Sequence, residues 1–215
     1  MMKRSRLLLC LALPILATSR HLEAQRVRVS VGRTFTNDEL LGDPLGFTGF
    51  LAVPLGTRTA LRIGLDWLSD ARHRTGIACA GLVDPSACPT EALRDDSDLR
   101  GFSVVLARDV LEGERGVVRL MPAVRYANIS ADTRGLESGN SLSASKNTYG
   151  FEAGAEGEVV PKLAWPLSFH VGLGIGTFFP FTKEQVADGY IPFEDGFDYT
   201  RIEVGVTIGR RPRPR

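Results

Sequence analysis

Eight stretches of the chain alternate apolar and polar residues, and the gaps between them alternate long and short. The alternation predicts strands at residues 26–33, 46–55, 60–69, 99–110, 117–128, 147–159, 167–179 and 198–209. The gaps are then 12, 4, 29, 6, 18, 7 and 18 residues. An up-and-down meander gives this pattern when one end of the sheet carries loops and the other is trimmed to tight turns. A membrane barrel has that form, with an even strand number, short turns on one side and longer loops on the other. The expected fold class is all-β: an eight-stranded antiparallel up-and-down transmembrane β-barrel over residues 26–209.

Alternation alone also fits a soluble barrel with its apolar face inward, so the polar face decides. On the third strand Leu61, Ile63, Leu65 and Trp67 oppose Arg62, Gly64 and Asp66. On the seventh, Leu167, Phe169, Val171, Leu173 and Ile175 oppose Ser168, His170, Gly172, Gly174 and Gly176. The outside of a soluble barrel would be crowded with long polar groups. Here the polar face is largely glycine and other small residues, which suits the lumen of an eight-stranded barrel, just wide enough for side chains to fill. The aromatics agree. Phe47, Trp67, Phe102, Tyr126, Tyr149, Phe151 and Phe179 share the apolar face near the long-loop end, as an interfacial girdle does, while Trp165 stands at the short-turn end. Pro122, mid-strand on the outward face, calls for a bulge. Tyr199 falls on the lumen side, which implies another bulge near the top of the last strand.

The N-terminus reads as a removable leader over residues 1–25. Lys3, Arg4 and Arg6 precede an apolar run from Leu7 to Ala17, too short to span a bilayer, with cleavage after Ala24 or Ala17. Of 26 basic and 25 acidic residues, 22 and 24 remain after cleavage, a formal charge of −2 that does not suggest a nucleic-acid partner. Residues 210–215 form a basic C-terminal tail. Cys79 and Cys88, in the longest gap, read as a local disulfide in an oxidising compartment. Two thiols and His73 do not make a zinc site, and neither a metal nor a cofactor is expected.

The candidate functional residues line the polar face. Arg28, Arg62, Arg119, Arg125 and Arg201 meet Asp66, Asp109, Glu152, Glu156, Glu158 and Glu203. Neighbouring strands pair by sign: Arg119 and Arg125 against Glu152 and Glu156, and Arg201 and Glu203 beside Arg28. Buried charges need partners, so a lumen network of Arg28, Arg62, Asp66, Arg119, Arg125, Glu152, Glu156, Arg201 and Glu203 is expected to plug the barrel, with a gated ion path as the other reading. Ser168 and His170 invite a hydrolase reading, but both face the lumen and no carboxylate completes the set. The acids Asp188, Glu194, Asp195 and Asp198 lack calcium-loop spacing. Divalent bridging of lipopolysaccharide phosphates there is the alternative to a solvated loop.

These features together resemble the small outer-membrane β-barrel superfamily of the OmpA/OmpX type across nearly all of residues 26–209. Glu203, Gly205 and Ile208 match part of that superfamily's terminal pattern, and Arg210 stands where its terminal aromatic belongs. The resemblance implies an exported, porin-like protein of a Gram-negative-type outer membrane. Its expected partners are the bilayer, lipopolysaccharide and the barrel-assembly machinery, with a possible external ligand at the loop 70–98. It further implies roles among wall anchoring, adhesion, small-molecule passage and lipid-modifying catalysis, and the expectation here is a non-enzymatic role in envelope integrity, adhesion or small-solute passage. The alternatives are a lipid-modifying barrel enzyme and a soluble periplasmic barrel with the reverse facing and an apolar ligand inside.

Overall fold

A computed structural model describes residues 26–37, 41–77, 90–139, 141–161, 166–180, 185–186 and 196–209. The leader, the C-terminal tail, Cys79, Cys88, Trp165 and the acids Asp188, Glu194 and Asp195 lie outside the described residues.

Eight long strands form the wall: β1 Arg26–Thr36, β2 Leu45–Pro54, β3 Thr59–Ile77, β4 Thr90–Glu112, β5 Gly116–Gly135, β6 Ser141–Val159, β7 Leu167–Pro180 and β8 Phe197–Ile208. Each pairs antiparallel with its sequence neighbours, and β1 pairs with β8 to close the ring. A two-residue strand, Gln185–Val186, adds to the upper edge of β6. Cross-strand partners can be followed once around the ring: Arg26, Ala52, Arg62, Val105, Ala123, Glu152, Gly176, Tyr199 and back to Thr36. The circuit returns to β1 ten residues above its start, at Thr36 instead of Arg26. With eight strands, that stagger corresponds to a tilt of about 40°, so roughly ten residues cross an apolar band about 25 Å tall.

The facing is polar-in and apolar-out. Ile63 and Leu65 are 52% and 71% exposed, whereas Arg62 and Asp66 are buried. This excludes the soluble barrel with Leu61, Ile63 and Leu65 inside. Phe47 and Trp67 are direct cross-strand partners, as are Phe102 and Tyr126, Tyr126 and Tyr149, and Tyr149 and Phe179. The Phe102–Tyr126 and Tyr149–Phe179 rings lie 5.3 and 5.6 Å apart. Arg100 lies over Trp67 at 5.5 Å, and Arg33, two residues nearer the short-turn end than Phe35, lies over that ring at 5.2 Å and reaches Asp43 at 3.5 Å.

Four strands run further than the alternation implies. Residues 70–77 and 90–98, expected as loop, are strand, paired from Asp70↔Ser97 to Ile77↔Thr90. β5 and β6 extend likewise to Arg134↔Ser141. The strands β3–β6 thus rise as a ridge above the girdle. Outward positions on the ridge are polar or small: Ser69 and His73 on β3, Arg94, Asp96, Asp98 and Arg100 on β4, and Asn128, Ser130, Asp132 and Arg134 on β5. The apolar surface therefore ends at the aromatic row.

Both expected bulges are corrected. The β5–β6 register runs unbroken through Pro122↔Ala153. On the β4 side the ladder merely lapses opposite Met121 and Pro122, where the missing N–H falls, and resumes in the same register. The irregularity lies instead between Asp109 and Leu111, near the short-turn end. Tyr199 pairs continuously with Thr36 and Gly176, so its inward aim is ordinary strand parity.

Candidate functional site

Strand parity delivers the ionisable groups to the lumen in two layers. The upper layer centres on Arg125 of β5. Its Nη1 meets Asp66 Oδ2 at 2.8 Å, and Nε and Nη2 clasp Glu152 at 2.7 and 2.9 Å. Asp66 also receives Arg201 Nη1 at 2.9 Å and the Thr48 hydroxyl at 2.8 Å. The Tyr199 hydroxyl donates to Glu152 at 3.0 Å. Every oxygen of the two carboxylates therefore has a donor, the condition for holding charge away from water.

The lower layer is built on Glu156 and Glu158 of β6. Arg62 binds Glu156 in bidentate fashion at 2.8 and 3.0 Å, and Arg119 reaches the same carboxylate at 2.8 Å. Arg28 also pairs with Glu156, while Glu158 takes Arg119, Arg26 and the Ser168 hydroxyl. Arg119 Nε closes onto Asp109 at 2.5 Å. Glu203 ties the layers together, pairing with Arg28 below and with Arg201 above at 3.3 Å. The nine residues expected in the network are thus brought into one set of ion pairs. Arg26, Thr48 and Tyr199, absent from the expected set, join it. Parity would have found Arg26 and Thr48, which lie two residues from the lumen positions Arg28 and Phe50.

Glycines make the room. A Cβ at Gly172 would lie 2.9 Å from Glu203 Cγ, one at Gly174 would lie 2.7 Å from the Glu152 carboxylate, and one at Gly176 would lie 2.6 Å from the Tyr199 ring. The β7 track Gly172-Gly174-Gly176 is the floor on which these groups lie.

Above the ions the lumen turns apolar, which the strand alternation did not anticipate. Leu41, Leu68, Leu99, Ala127, Ile129, Ala131, Ala144, Phe178, Phe197 and Tyr199 form one buried cluster. The Phe178 ring stacks on Tyr199 at 4.9 Å and packs against Phe197 at 5.1 Å. A cavity of about 10 Å³, at the limit for a single water, lies between this cap and the upper ions. A cavity of about 50 Å³ lies at the short-turn mouth, beside Arg26, Arg62, Asp109 and Arg119.

Ser168 and His170 do not form a dyad. Ser168 is engaged with Glu158 and Arg26. The His170 ring sits between Ser30 Oγ at 2.9 Å and Thr207 Oγ1 at 3.2 Å. Both residues are buried in the lumen wall.

A closed ring of eight up-and-down strands, apolar outside and filled inside, defines the small outer-membrane type of β-barrel. Solved structures of that type align over most of the chain. A major outer membrane protein from Thermus thermophilus is 14% identical, covers 86% of this chain and 98% of its own, and superposes with a TM-score of 0.51. Ail of Yersinia pestis, the attachment invasion locus protein, is 10% identical over 86% and 97% of the two chains, with a TM-score of 0.49. Neisserial surface protein A is 11% identical over 86% and 96%, with a TM-score of 0.46. At these identities the likeness is one of fold. No protein-family model matches the chain, and no match is found among curated proteins.

Proposed function

We propose that the protein is a non-enzymatic integral barrel of a bacterial outer membrane, sealed through its lumen, that works by holding the β3–β6 ridge above the membrane surface. The observation that carries this reading is the wall's outer face. Apart from Arg33 and Arg108, it is apolar up to a row of aromatic rings and polar immediately above, as a barrel seated in a bilayer requires. A closed ring leaves no strand edge in hydrocarbon. The packed lumen favours a role at the external surface over solute passage. The ridge offers a rigid platform there, with ion pairs Arg94–Asp96 and Arg100–Asp98 holding its outer side chains in place. Lipopolysaccharide or a protein on another surface is the partner class for a face of mixed charge, hydroxyls and amides.

Two measurements test this. The protein is expected in the outer-membrane fraction, migrating differently on a gel with and without boiling. Recovery in the soluble periplasm with no heat shift would overturn the membrane reading. Deleting residues 74–93, which include the described ends of β3 and β4, is expected to leave the heat shift intact while weakening surface adhesion or envelope integrity. An unchanged phenotype on both counts would remove the ridge from the function.

A further inference from the structure

We propose that the short-turn mouth of the barrel is an oxyanion site that takes a phosphate group. The site rests on the lumen geometry, and only its placement on the periplasmic side rests on the membrane reading above. The cavity of about 50 Å³ at this mouth is lined by Arg26, Arg58, Arg62 and Arg119 and by one carboxylate, Asp109. Its volume corresponds to about three to five waters, the space of four oxygens around a central atom. The packed Glu156–Glu158 layer lies above it, so a ligand enters and leaves through the mouth.

Cations exceed carboxylates here. Four arginines line the cavity against Asp109 alone. The glutamates behind them raise the acids to three, and Glu156 is shared with a fifth arginine, Arg28. The hydrogen bonds also leave donors over. Arg26 engages Glu158 and Ser168 through Nη1 and Nη2, and its buried Nε has no partner. Arg62 holds Glu156 through the same two nitrogens, which leaves Nε. Arg119 binds its three carboxylates through Nε and Nη1, which leaves Nη2. Arg58 is exposed and enters no ion pair among the described residues. Guanidinium donors held away from bulk water without an acceptor are costly. One bound oxyanion supplies acceptors to several of them at once.

The rim of the cavity is fixed in place. The Thr59 carbonyl accepts the Leu55 and Gly56 N–H groups at 2.9 and 3.2 Å, and the Asp109 N–H donates to the Arg58 carbonyl at 2.8 Å. The β2–β3 turn that carries Arg58 is thereby tied to β4, and the Asp109 carboxylate in turn holds Arg119. Several guanidinium forks around a space of four oxygens suit phosphate better than a carboxylate, which presents two. The surplus of positive charge favours a doubly ionised phosphate over a monoanion. Such a group reaches this mouth from two sources, the free phosphate ion and the headgroup of a phospholipid.

The test uses the full mature barrel folded in an uncharged maltoside detergent, titrated with inorganic phosphate at low salt and followed by phosphorus NMR. Saturable uptake of one phosphate per barrel is expected, weakened by added salt. Arg58→Ala, which breaks no ion pair, is expected to weaken it roughly two- to fivefold. Arg26→Lys keeps the charge but removes Nε, and is expected to weaken it about tenfold. Ala60→Leu keeps every arginine and fills the cavity, and is expected to abolish uptake. Arg108→Ala, exposed on the outer wall opposite Thr59, is expected to leave it unchanged. Phosphatidylglycerol added to the micelles separates the two sources. Displacement of the phosphate assigns the seat to a lipid headgroup, and persistence assigns it to the free ion. Equal competition by acetate would overturn the assignment to phosphate. A heat-shifted barrel that takes up no phosphate, or whose uptake Ala60→Leu leaves untouched, would overturn the site. Recovery of the protein in the soluble periplasm would overturn the membrane reading and leave the titration standing.

Discussion

Arg125 shows what a single lumen side chain has to do. Its guanidinium holds Asp66 and Glu152 at once. Truncation to alanine leaves Asp66 with Arg201 and Thr48, but Glu152 with little beyond the Tyr199 hydroxyl. A carboxylate stranded in a dry interior is the expensive part, so Arg125→Ala is expected to destabilise the folded barrel by roughly 3–5 kcal/mol. The denaturant midpoint of the detergent-folded protein measures this, and an unchanged midpoint would show that the network is not buried. Gly174→Ala tests the same carboxylate from the other side. The added methyl would press on Glu152 and is expected to cost about 1–3 kcal/mol. At this scale the sequence was legible through parity alone. Every second residue of a strand meets the lumen, so Arg62, Asp66, Arg119 and Glu156 could be placed without coordinates. Parity names the face and not the neighbour. That Glu156 serves three arginines, or that Glu203 joins two layers, depends on the ten-residue stagger, which no local pattern encodes.

Strand length is where the pattern ran out. The apolar-out alternation stops at Trp67, Phe102, Tyr126 and Tyr149, so the next residues looked like loop. They remain strand because the ladder continues without needing an apolar outer face: Ser69, Arg94, Asp96 and Asn128 face water instead of hydrocarbon, and Leu93, Ile129 and Ala131 are buried on the inner side. A period-two signal read from hydrophobicity therefore marks the membrane boundary and not the strand end. The top of the ridge is pinned by Glu91 of β4. Its carboxylate accepts the Ser138 hydroxyl at 2.5 Å and the N–H groups of Glu137 and Ser138 at 2.8 and 2.9 Å. These donors, the Ser138 hydroxyl first, hold its carboxyl below the usual glutamate range. The folded state thus favours the ionised form. The contribution is fully present above the ordinary glutamate pKa of about 4.3 and fades as pH falls through the depressed folded value. Amide exchange at Glu137 and Ser138 is expected to accelerate beyond its intrinsic pH trend on acidification. Glu91→Gln is expected to exchange fast at neutral pH and to lose the transition. Identical protection in the two proteins at neutral pH would exclude the pin.

Across the whole molecule, closure of the lumen comes from three blocks in series, and each would have to open for a solute to pass. From the short-turn end these are the Glu156–Glu158 layer, the Asp66–Glu152 layer and the apolar cap of Leu68, Leu99, Ile129, Phe178 and Phe197. Charged layers alone would be compatible with a gate, since ion pairs exchange partners at modest cost when water can enter. The apolar cap changes the balance, because a hydrophobic constriction excludes ions by dewetting, whatever the charges beneath it do. The cap is also what charge parity could not show, which is why an ion path stood beside the plug as a reading. Alternation is silent on which inward positions are apolar, and only the assembled ring stacks Leu68, Ile129 and Phe178 at one level. Series blocking gives a specific expectation for planar bilayers. The wild-type barrel should show no sustained single-channel current. Arg125→Ala, which loosens one ionic layer, should remain silent, because the cap stays shut. Arg125→Ala combined with Phe178→Ala and Arg62→Ala removes material from all three blocks and should admit brief openings. Steady conductance by the wild type, or by Arg125→Ala alone, would show that the cap does not seal the lumen and would return solute passage to the leading role.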